Sequence, residues 1–276
     1  MNRIQSGLFR RFQAGLFARG LSITQHIETA DVLGLIRKLQ PLDCGKELIR
    51  IGGKGDGAYL IPDDLEGIEY CFSPGVNTLS NFEDQLADMH IKSFLADYSV
   101  DAPPVSRQEL TFDKKFLGCS DRDPYFTLQS WKNKYLKEYT GEMILQMDIE
   151  RFEYEVILNT PDSLLDQFRI MAIEFHDLDK IFDPFGFAVI SSCFEKILKF
   201  FYVAHIHPNN CGIVARRGSI EVPLSLEFTF YNKRRVNSTS PQTVFPHPLD
   251  EDNTTRFKSV PLPACWYSSI KREALV

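Results

Sequence analysis

A doubly wound α/β sheet is the fold class this sequence predicts, and three observations predict it. From Ile68 onward, short apolar runs alternate with stretches of helical spacing, the alternation that places helices against a parallel sheet. The run Met143-Ile-Leu-Gln-Met147 is nearly continuous in apolar residues, as a strand buried on both faces is, before helix spacing takes over at Phe152 and Val156. The last two strand-like runs are separated by a loop without a helical pattern, which implies a final antiparallel pairing.

Taken in order, residues 1–22 carry Arg3, Arg10, Arg11 and Arg19 and no acid, with Ile4, Leu8, Phe12 and Leu16 forming an apolar stripe beside Phe9 and Phe17. Three readings compete: a helix docked on its own domain or on a partner, a helix lying on an anionic membrane surface, and a transit peptide. The docked or partner-binding helix is favoured, with peripheral membrane contact second. Residues 29–40 read as an amphipathic helix starting near Thr29 or Asp31. Residues 47–61 read as a β-hairpin around a Gly-rich turn. That turn continues into Ala58-Tyr-Leu-Ile61 rather than into Lys-Ser or Lys-Thr and a helix, so it is a structural turn or a pocket rim, not a phosphate loop.

Strands are then expected at 68–72, 91–97, 116–121, 142–147, 168–176 and 200–207, with helices at 81–88, 127–139, 151–159 and 188–199. The last strand, 222–231, alternates apolar and polar as an edge or antiparallel strand does. The tail after Arg235 is polar and then Pro-rich, and reads as an extended wrap. This divides the chain into an N-terminal helical segment (1–46), an α/β domain (47–235) and a C-terminal wrap (236–276).

Composition narrows the class of function. The chain has 276 residues, 43% hydrophobic and 25% charged, the make-up of an ordinary globular protein. A net charge of −6 argues against a nucleic-acid partner, which favours a basic excess. The cysteines (44, 71, 119, 193, 211 and 265) are scattered singly, giving neither a zinc signature nor a disulfide scaffold, and a reducing cytoplasm is the simplest setting. No run of about 20 apolar residues is present to span a membrane.

Polar residues collect at the expected carboxyl ends of the strands, where ligands bind in open α/β sheets. They are Ser73-Pro-Gly-Val-Asn77 after the first strand, Asp97 after the second, Asp148 and Glu150 after the fourth, and Glu174 and His176 at the fifth. His205, His207, Asn209 and Asn210 close the sixth. Each has a plainer explanation. Asp148 and Glu150 suit a helix start, His205 among apolar neighbours suits a core, and Asn209-Asn210 after Pro208 suits a turn. Five strand ends together favour a site. Asp97 can accept hydrogen bonds from a ribose diol, and Gly75 lets backbone N–H groups approach a ligand carboxylate. His26, His90 and His247 read as surface residues.

Asp148-Ile-Glu-Arg-Phe-Glu-Tyr-Glu-Val-Ile157 lies close to the Asp-x-Glu-Gly-x-Glu motif of the FkbM-type family of class I S-adenosylmethionine-dependent methyltransferases, and Ile173-Glu-Phe-His176 resembles that family's fifth strand. Phe72-Ser-Pro-Gly-Val-Asn77 with Phe82-Glu83, Phe94-Leu-Ala-Asp97, and His205-Ile-His-Pro-Asn-Asn210 with Glu227 resemble a divergent branch of it. The resemblance covers roughly residues 47–235. It implies a Rossmann-like, mostly parallel seven-stranded sheet with an antiparallel last strand, and S-adenosyl-L-methionine as cofactor. It places Ser73, Pro74, Gly75, Asn77, Asp97, Asp121 and Asp148 at the cofactor, Asp148, His176, Glu150 and Glu174 in catalysis, and Arg151, His207 and Asn209 at the acceptor. The chain departs from the family at Arg151, where glycine is usual, and in having one glycine in the first loop. The missing G-x-G-x-x-G counts against a nicotinamide-dependent reductase.

The resemblance implies methyl transfer to a hydroxyl of a sugar, glycan or similar small acceptor. An alcohol is a poor nucleophile while protonated, so a base is required. His176 is the first choice because imidazole titrates near neutral pH; Asp148 is the other. Glu150 and Glu174 orient the acceptor or His176, and Arg151 reshapes the pocket or pairs with Glu150. Alternatively Asp148, Glu174 and His176 converge on one divalent metal that acidifies the acceptor. A non-catalytic version of the fold, kept for binding or scaffolding with Arg151 filling the pocket, is the competing class.

Overall fold

A computed structural model of the protein describes residues 11–21 and 23–268. Its centre is a seven-stranded sheet of β1 (Tyr70–Pro74), β2 (Lys92–Ala96), β3 (Leu110–Asp113), β4 (Met143–Met147), β5 (Phe168–Phe175), β6 (Phe201–Pro208) and β7 (Leu226–Asn232). The order across the sheet is β6-β7-β5-β4-β1-β2-β3. The pairings β1–β2, β2–β3, β1–β4 and β4–β5 are parallel, whereas β7 runs antiparallel to both β5 and β6. The mostly parallel α/β sheet with a reversed last strand is therefore as expected.

Alternate residues of each strand enter one of two cores, following the period of two. Phe72, Phe94, Leu145, Met171, Phe175, Phe228 and Phe230 share one cluster with α1 (Thr29–Lys38), α3 (Leu128–Leu136), α4 (Glu153–Asn159) and α5 (Pro184–Ile197). Cys71, Ile144, Ile170, Ala172 and Tyr231 face the opposite way, onto α2 (Asn81–Asp88) and the hairpin of Leu48–Ile51 with Tyr59–Pro62. The helix after β1 and the helix after β4 thus lie on opposite faces, and the sheet order reverses between those two strands. Such a reversal leaves a crevice at the carboxyl ends.

Local chemistry sets the helix ends. Asp31 opens α1 and Arg37 and Lys38 close it, each complementing the helix dipole. Thr127 and Ser130 form a reciprocal cap on α3. Asp183 accepts the N–H groups of Phe185 and Gly186 ahead of Pro184 in the first turn of α5.

Two expectations are corrected. The third strand is Leu110–Asp113, not 116–121; Phe116–Leu117 pairs instead with Tyr125–Phe126 outside the main sheet. As an edge strand β3 is only half-buried, so its sequence lacks the continuous apolar run of its neighbours. The expected strand 222–231 breaks at residues 224–225: Ile220–Pro223 forms a small hairpin with Val214–Arg217, and β7 is fully buried between β5 and β6 rather than at an edge. Its alternation separates two different interiors. Phe228 and Phe230 enter the first core, while Thr229 Oγ1 donates to the Leu60 carbonyl at 2.6 Å on the hairpin side. Residues 11–17 are helical, with Phe12 and Phe17 57% and 72% exposed and Leu16 half-buried. Arg3, Ile4, Leu8, Phe9 and Arg10 lie outside the described residues.

The tail does wrap. Ser240–Pro241 pairs with Leu42–Asp43, and Trp266 is fully buried in the first core, its indole N–H donating to the Glu221 carbonyl at 3.0 Å. Among the described residues no helix is long and apolar enough to cross a membrane.

Candidate functional site

A cleft of about 300 Å³ opens where the sheet order reverses. Gly75 and Asn77 after β1, Asp97 and Ser99 after β2, and Asp148, Ile149 and Glu150 after β4 line it, and Phe116, Tyr125 and Phe152 wall its outer side. A second, polar hollow of about 130 Å³ adjoins it, bounded by Asp56, Gly57, Glu83 and Gln146 and sharing Gly75, Asn77, Asp148 and Glu150. The Gly-rich turn is thus a pocket rim, as one of its two readings had it.

Gly75 holds two of these loops together. Its φ is +92°, and a Cβ there would stand 1.5 Å from the Asp148 carbonyl oxygen. The glycine is needed for the close approach of the β1 and β4 loops, not only for a ligand. Its N–H donates to the Ala96 carbonyl at 2.9 Å, and that of Asn77 donates to Asp97 Oδ2 at 2.8 Å. Neither is free for a ligand carboxylate, contrary to the expectation for this loop. Asp97 Oδ1 also accepts the Ser99 N–H and hydroxyl, both at 2.7 Å. Both lone pairs of Oδ1 are thus occupied, and the ordered Asp97 still offers one acceptor, on Oδ2, to a diol hydroxyl.

Behind the cleft floor lies His176, just past the end of β5. Its Nδ1 is 3.1 Å from Glu153 Oε1, and its Nε2 faces three acids: Glu150 and Glu174 at 3.6 Å and Asp148 at 3.8 Å. Glu174 Oε1 accepts a hydrogen bond from Asn209 Nδ2 at 2.8 Å. All four expected catalytic residues and Asn209 therefore meet in one cluster. Burial, opposed by His176 and reinforced by Glu153, Glu150 and Asp56, pushes the Asp148 carboxyl up to about 7. Burial, then the charges of Asp148 and Glu227, raises Glu174 well above the usual carboxylate range. Burial alone would lower His176; the Glu153 hydrogen bond and the surrounding acids outweigh it and raise the imidazole. Asp148, Glu174 and His176 are thus all shifted toward their protonated forms.

The row of polar groups continues along the edge. Glu227 is the cross-strand neighbour of Glu174 on one side and of His207 on the other. Asn253 of the tail donates to Glu227 Oε1 at 2.6 Å and to Asp56 Oδ1 at 3.1 Å. His205 Nε2 lies 2.8 Å from Asp250 Oδ1, and His207 Nδ1 lies 3.5 Å from it. The two histidines do share a face, and there they hold the tail. His205 is a buried group, and His207 is separated from the acid cluster by β7 instead of lying within it. Burial lowers His207, but Asp250 and Glu227 raise it further.

Other expected residues are placed elsewhere. Ser73 is wholly buried; its hydroxyl contacts Glu83 Oε1 and, at 2.5 Å, Gln146 Oε1, whose amide donates to Tyr59 Oη at 3.2 Å. Burial, opposed by Ser73, pushes Glu83 up to about 7. Pro74 lies within β1 and its carbonyl accepts the Asp148 N–H at 3.3 Å. Asp121 is exposed and caps α3 through the Thr127 N–H and the Ser130 hydroxyl, away from the cleft. Arg151 does not pair with Glu150 or enter a helix. It has φ +87° in the turn before α4 and its Nε lies 3.1 Å from Asp177 Oδ2, with the side chain 69% exposed. Of the three expected surface histidines, His26 and His90 are exposed, while His247 is half-buried against His205.

Glu153 is the member of the cluster that residue-by-residue reasoning missed. It is fully buried, and Oε1 also accepts the N–H groups of Ile149 and Arg151, each at 3.2 Å. Its signal was the second glutamate of the acidic motif. Comparison of the chain with family models and with curated proteins finds no match in either.

Proposed function

We propose that the protein is an S-adenosylmethionine-dependent O-methyltransferase of FkbM-like type, acting on a hydroxyl of a sugar, glycan or similar small acceptor. The observation that carries this reading is the cleft at the sheet's reversal point, which opens on Asp97 at one end and on the Asp148–His176 cluster at the other. The seven strands with a reversed last strand are compatible with the Rossmann-like winding that the resemblance implies.

The residues present suit such a cofactor. Asp97, fixed by Asn77 and Ser99, offers its remaining Oδ2 lone pair to a ribose hydroxyl. Phe116, Tyr125 and Phe152 give an apolar wall for a flat base and keep water out. Asp97, Asp148 and Glu150 make the cleft acidic, which favours a cationic ligand; a dinucleotide's pyrophosphate would meet like charge there. When bound, the cofactor supplies an activated methyl group. The chain's own part is to orient an acceptor hydroxyl and take its proton, and Nε2 of His176 with the carboxyl of Asp148 stands ready beside the cleft floor. Arg151, turned out toward Asp177, does not line the cleft, so the feature that would favour a non-catalytic scaffold is not met. The six free cysteines fit a reducing cytoplasmic setting.

Thermal shift with S-adenosylhomocysteine, S-adenosylmethionine and NADPH tests the reading. Ligand at about 100 times its Kd adds roughly 2.7 kcal/mol to stability, a shift of several degrees. The two adenosyl compounds should raise Tm and NADPH should not. No shift with either adenosyl compound would sink the proposal.

A further inference from the structure

The cluster behind the cleft has the spacing of a metal centre. Ligand atoms of Asp148, Glu174 and His176 all lie within 4.8 Å of one another. His176 Nε2 is 3.8 Å from Asp148 Oδ1 and 3.6 Å from Glu174 Oε1. Both separations exceed a hydrogen bond. Ligands held about 2.1 Å from a common ion stand roughly 3–4 Å apart. The gap thus suits an ion between the three groups rather than direct contact.

Two further observations point the same way. Asp148 Oδ1 is buried, has no hydrogen-bond partner, and is the very oxygen that faces His176 Nε2. A buried carboxylate oxygen left so is costly unless something positive completes it. The supporting contacts are also those of a ligand set. Glu153, fully buried, meets His176 at Nδ1, which leaves the Nε2 lone pair directed at the two acids. Metal-binding imidazoles characteristically give their other N–H to a carboxylate in this way. Asn209 fixes Glu174 through a 2.8 Å hydrogen bond and is itself fixed by the Cys211 N–H at 2.8 Å.

We propose that Asp148, Glu174 and His176 bind one divalent cation through two carboxylates and an imidazole, with Glu153 as the outer carboxylate that orients the ring. The set has two oxygens, one nitrogen and no thiolate, which selects a hard to borderline ion of the Mn²⁺ type over soft metals. Glu150, 83% exposed with Oε2 3.6 Å from Nε2, stands on the solvent side as a further oxygen. Asp148 belongs to both the cation site and the cleft, so an acceptor hydroxyl in the cleft can reach the ion. That use, lowering the hydroxyl's pKa so that its proton leaves more readily, rests on the methyl-transfer reading. With the ion bound, His176 serves as a ligand in place of its role as base, and the proton passes to the exposed Glu150 carboxylate, which lines the cleft. The cation site itself stands on geometry.

The full chain, stripped with EDTA and dialysed, is titrated with Mn²⁺ and followed by the EPR signal of the free ion and by calorimetry. One site per chain is expected. Asp148→Asn and His176→Asn should weaken it by about 100-fold, and Glu153→Gln by roughly 10- to 100-fold. Circular dichroism shows which variants keep the fold, and the near-isosteric Asp148→Asn and Glu153→Gln carry the test if His176→Asn does not. Absence of binding to the wild-type chain at about 1 mM Mn²⁺, Mg²⁺ or Zn²⁺, which marks a free energy weaker than roughly −4 kcal/mol, overturns the centre. Unchanged affinity in a folded Asp148→Asn or Glu153→Gln chain overturns its location. S-adenosylhomocysteine binding without cation binding removes the centre and leaves methyl transfer standing; cation binding without S-adenosylhomocysteine binding does the reverse.

Discussion

Glu153 Oε1 sits 3.1 Å from His176 Nδ1 while accepting the N–H groups of Ile149 and Arg151. One carboxylate with no solvent exposure therefore fixes the imidazole and the turn that carries Glu150. Glu153→Ala strands these buried donors, and the expected loss is about 2–4 kcal/mol. Glu153→Gln keeps an acceptor oxygen and should retain most of the stability. Urea denaturation reads both, and an alanine variant as stable as the wild type would contradict the arrangement.

Arg151 holds a φ of +87°, which side chains with a Cβ rarely adopt. Its ion pair with Asp177 is largely exposed and contributes little. Arg151→Gly and Arg151→Ala both lose that pair, but only glycine relieves the backbone. The glycine variant should be more stable than the alanine variant by about 1 kcal/mol. Equal unfolding midpoints would count against a strained turn here.

Gly75→Ala and Gly67→Ala form a matched pair. Both glycines have positive φ, +92° and +76°, but only at Gly75 would a Cβ strike backbone, 1.5 Å from the Asp148 carbonyl oxygen; nothing lies within 4 Å at Gly67. Gly67→Ala should cost about 1 kcal/mol from conformation alone. Gly75→Ala should cost at least about 3 kcal/mol, because two loops must separate. Similar melting temperatures for the two variants would remove the case for the loop contact.

Asp64 gives a pH dependence whose sign is fixed. It accepts hydrogen bonds from Arg235 Nε at 2.8 Å, Arg235 Nη2 at 2.9 Å and Tyr231 Oη at 2.6 Å. Burial would raise its pKa, but these bonds and the charges of Arg235 and Arg169 outweigh burial and hold it at about 2. The folded pKa lies below the unfolded value of 3.8, so the stabilisation is full above that value and is lost as pH falls toward 2. Arg235 is 38% exposed, and screening trims the contribution to about 1 kcal/mol. Asp64→Asn should flatten the acid limb of stability between about pH 5 and 2, measured by urea midpoints. An unchanged slope would refute it.

The sheet was legible wherever burial on both faces forces a continuous apolar run, as in Met143–Met147. It was illegible at β3, whose four half-buried residues carry no such run, and at 222–231, where one alternating stretch serves two separate pairings. Within the site, Asp148, Glu150, Glu174 and His176 were legible because strand ends have a fixed geometry. Glu153 was not, because a glutamate in the first turn of a helix is ordinary until the fold brings His176 against it. Asp121 misled for the converse reason: an acid after a supposed strand turns out to cap a helix.

The reversal of β7 also orders events in time. Asp148 and Glu174 are made early, but Asn209, which steadies Glu174, follows it by 35 residues, and Asn253, which steadies Glu227, follows that residue by 26. A chain emerging from the ribosome therefore has His176 and Asn209 beside its inner acids before the tail is made, while Glu227 waits for Asn253. Termination between Asn232 and Asn253 would leave all seven strands made but Glu227 without its amide partner, so a sheet complete in its strands is not yet complete along its polar edge.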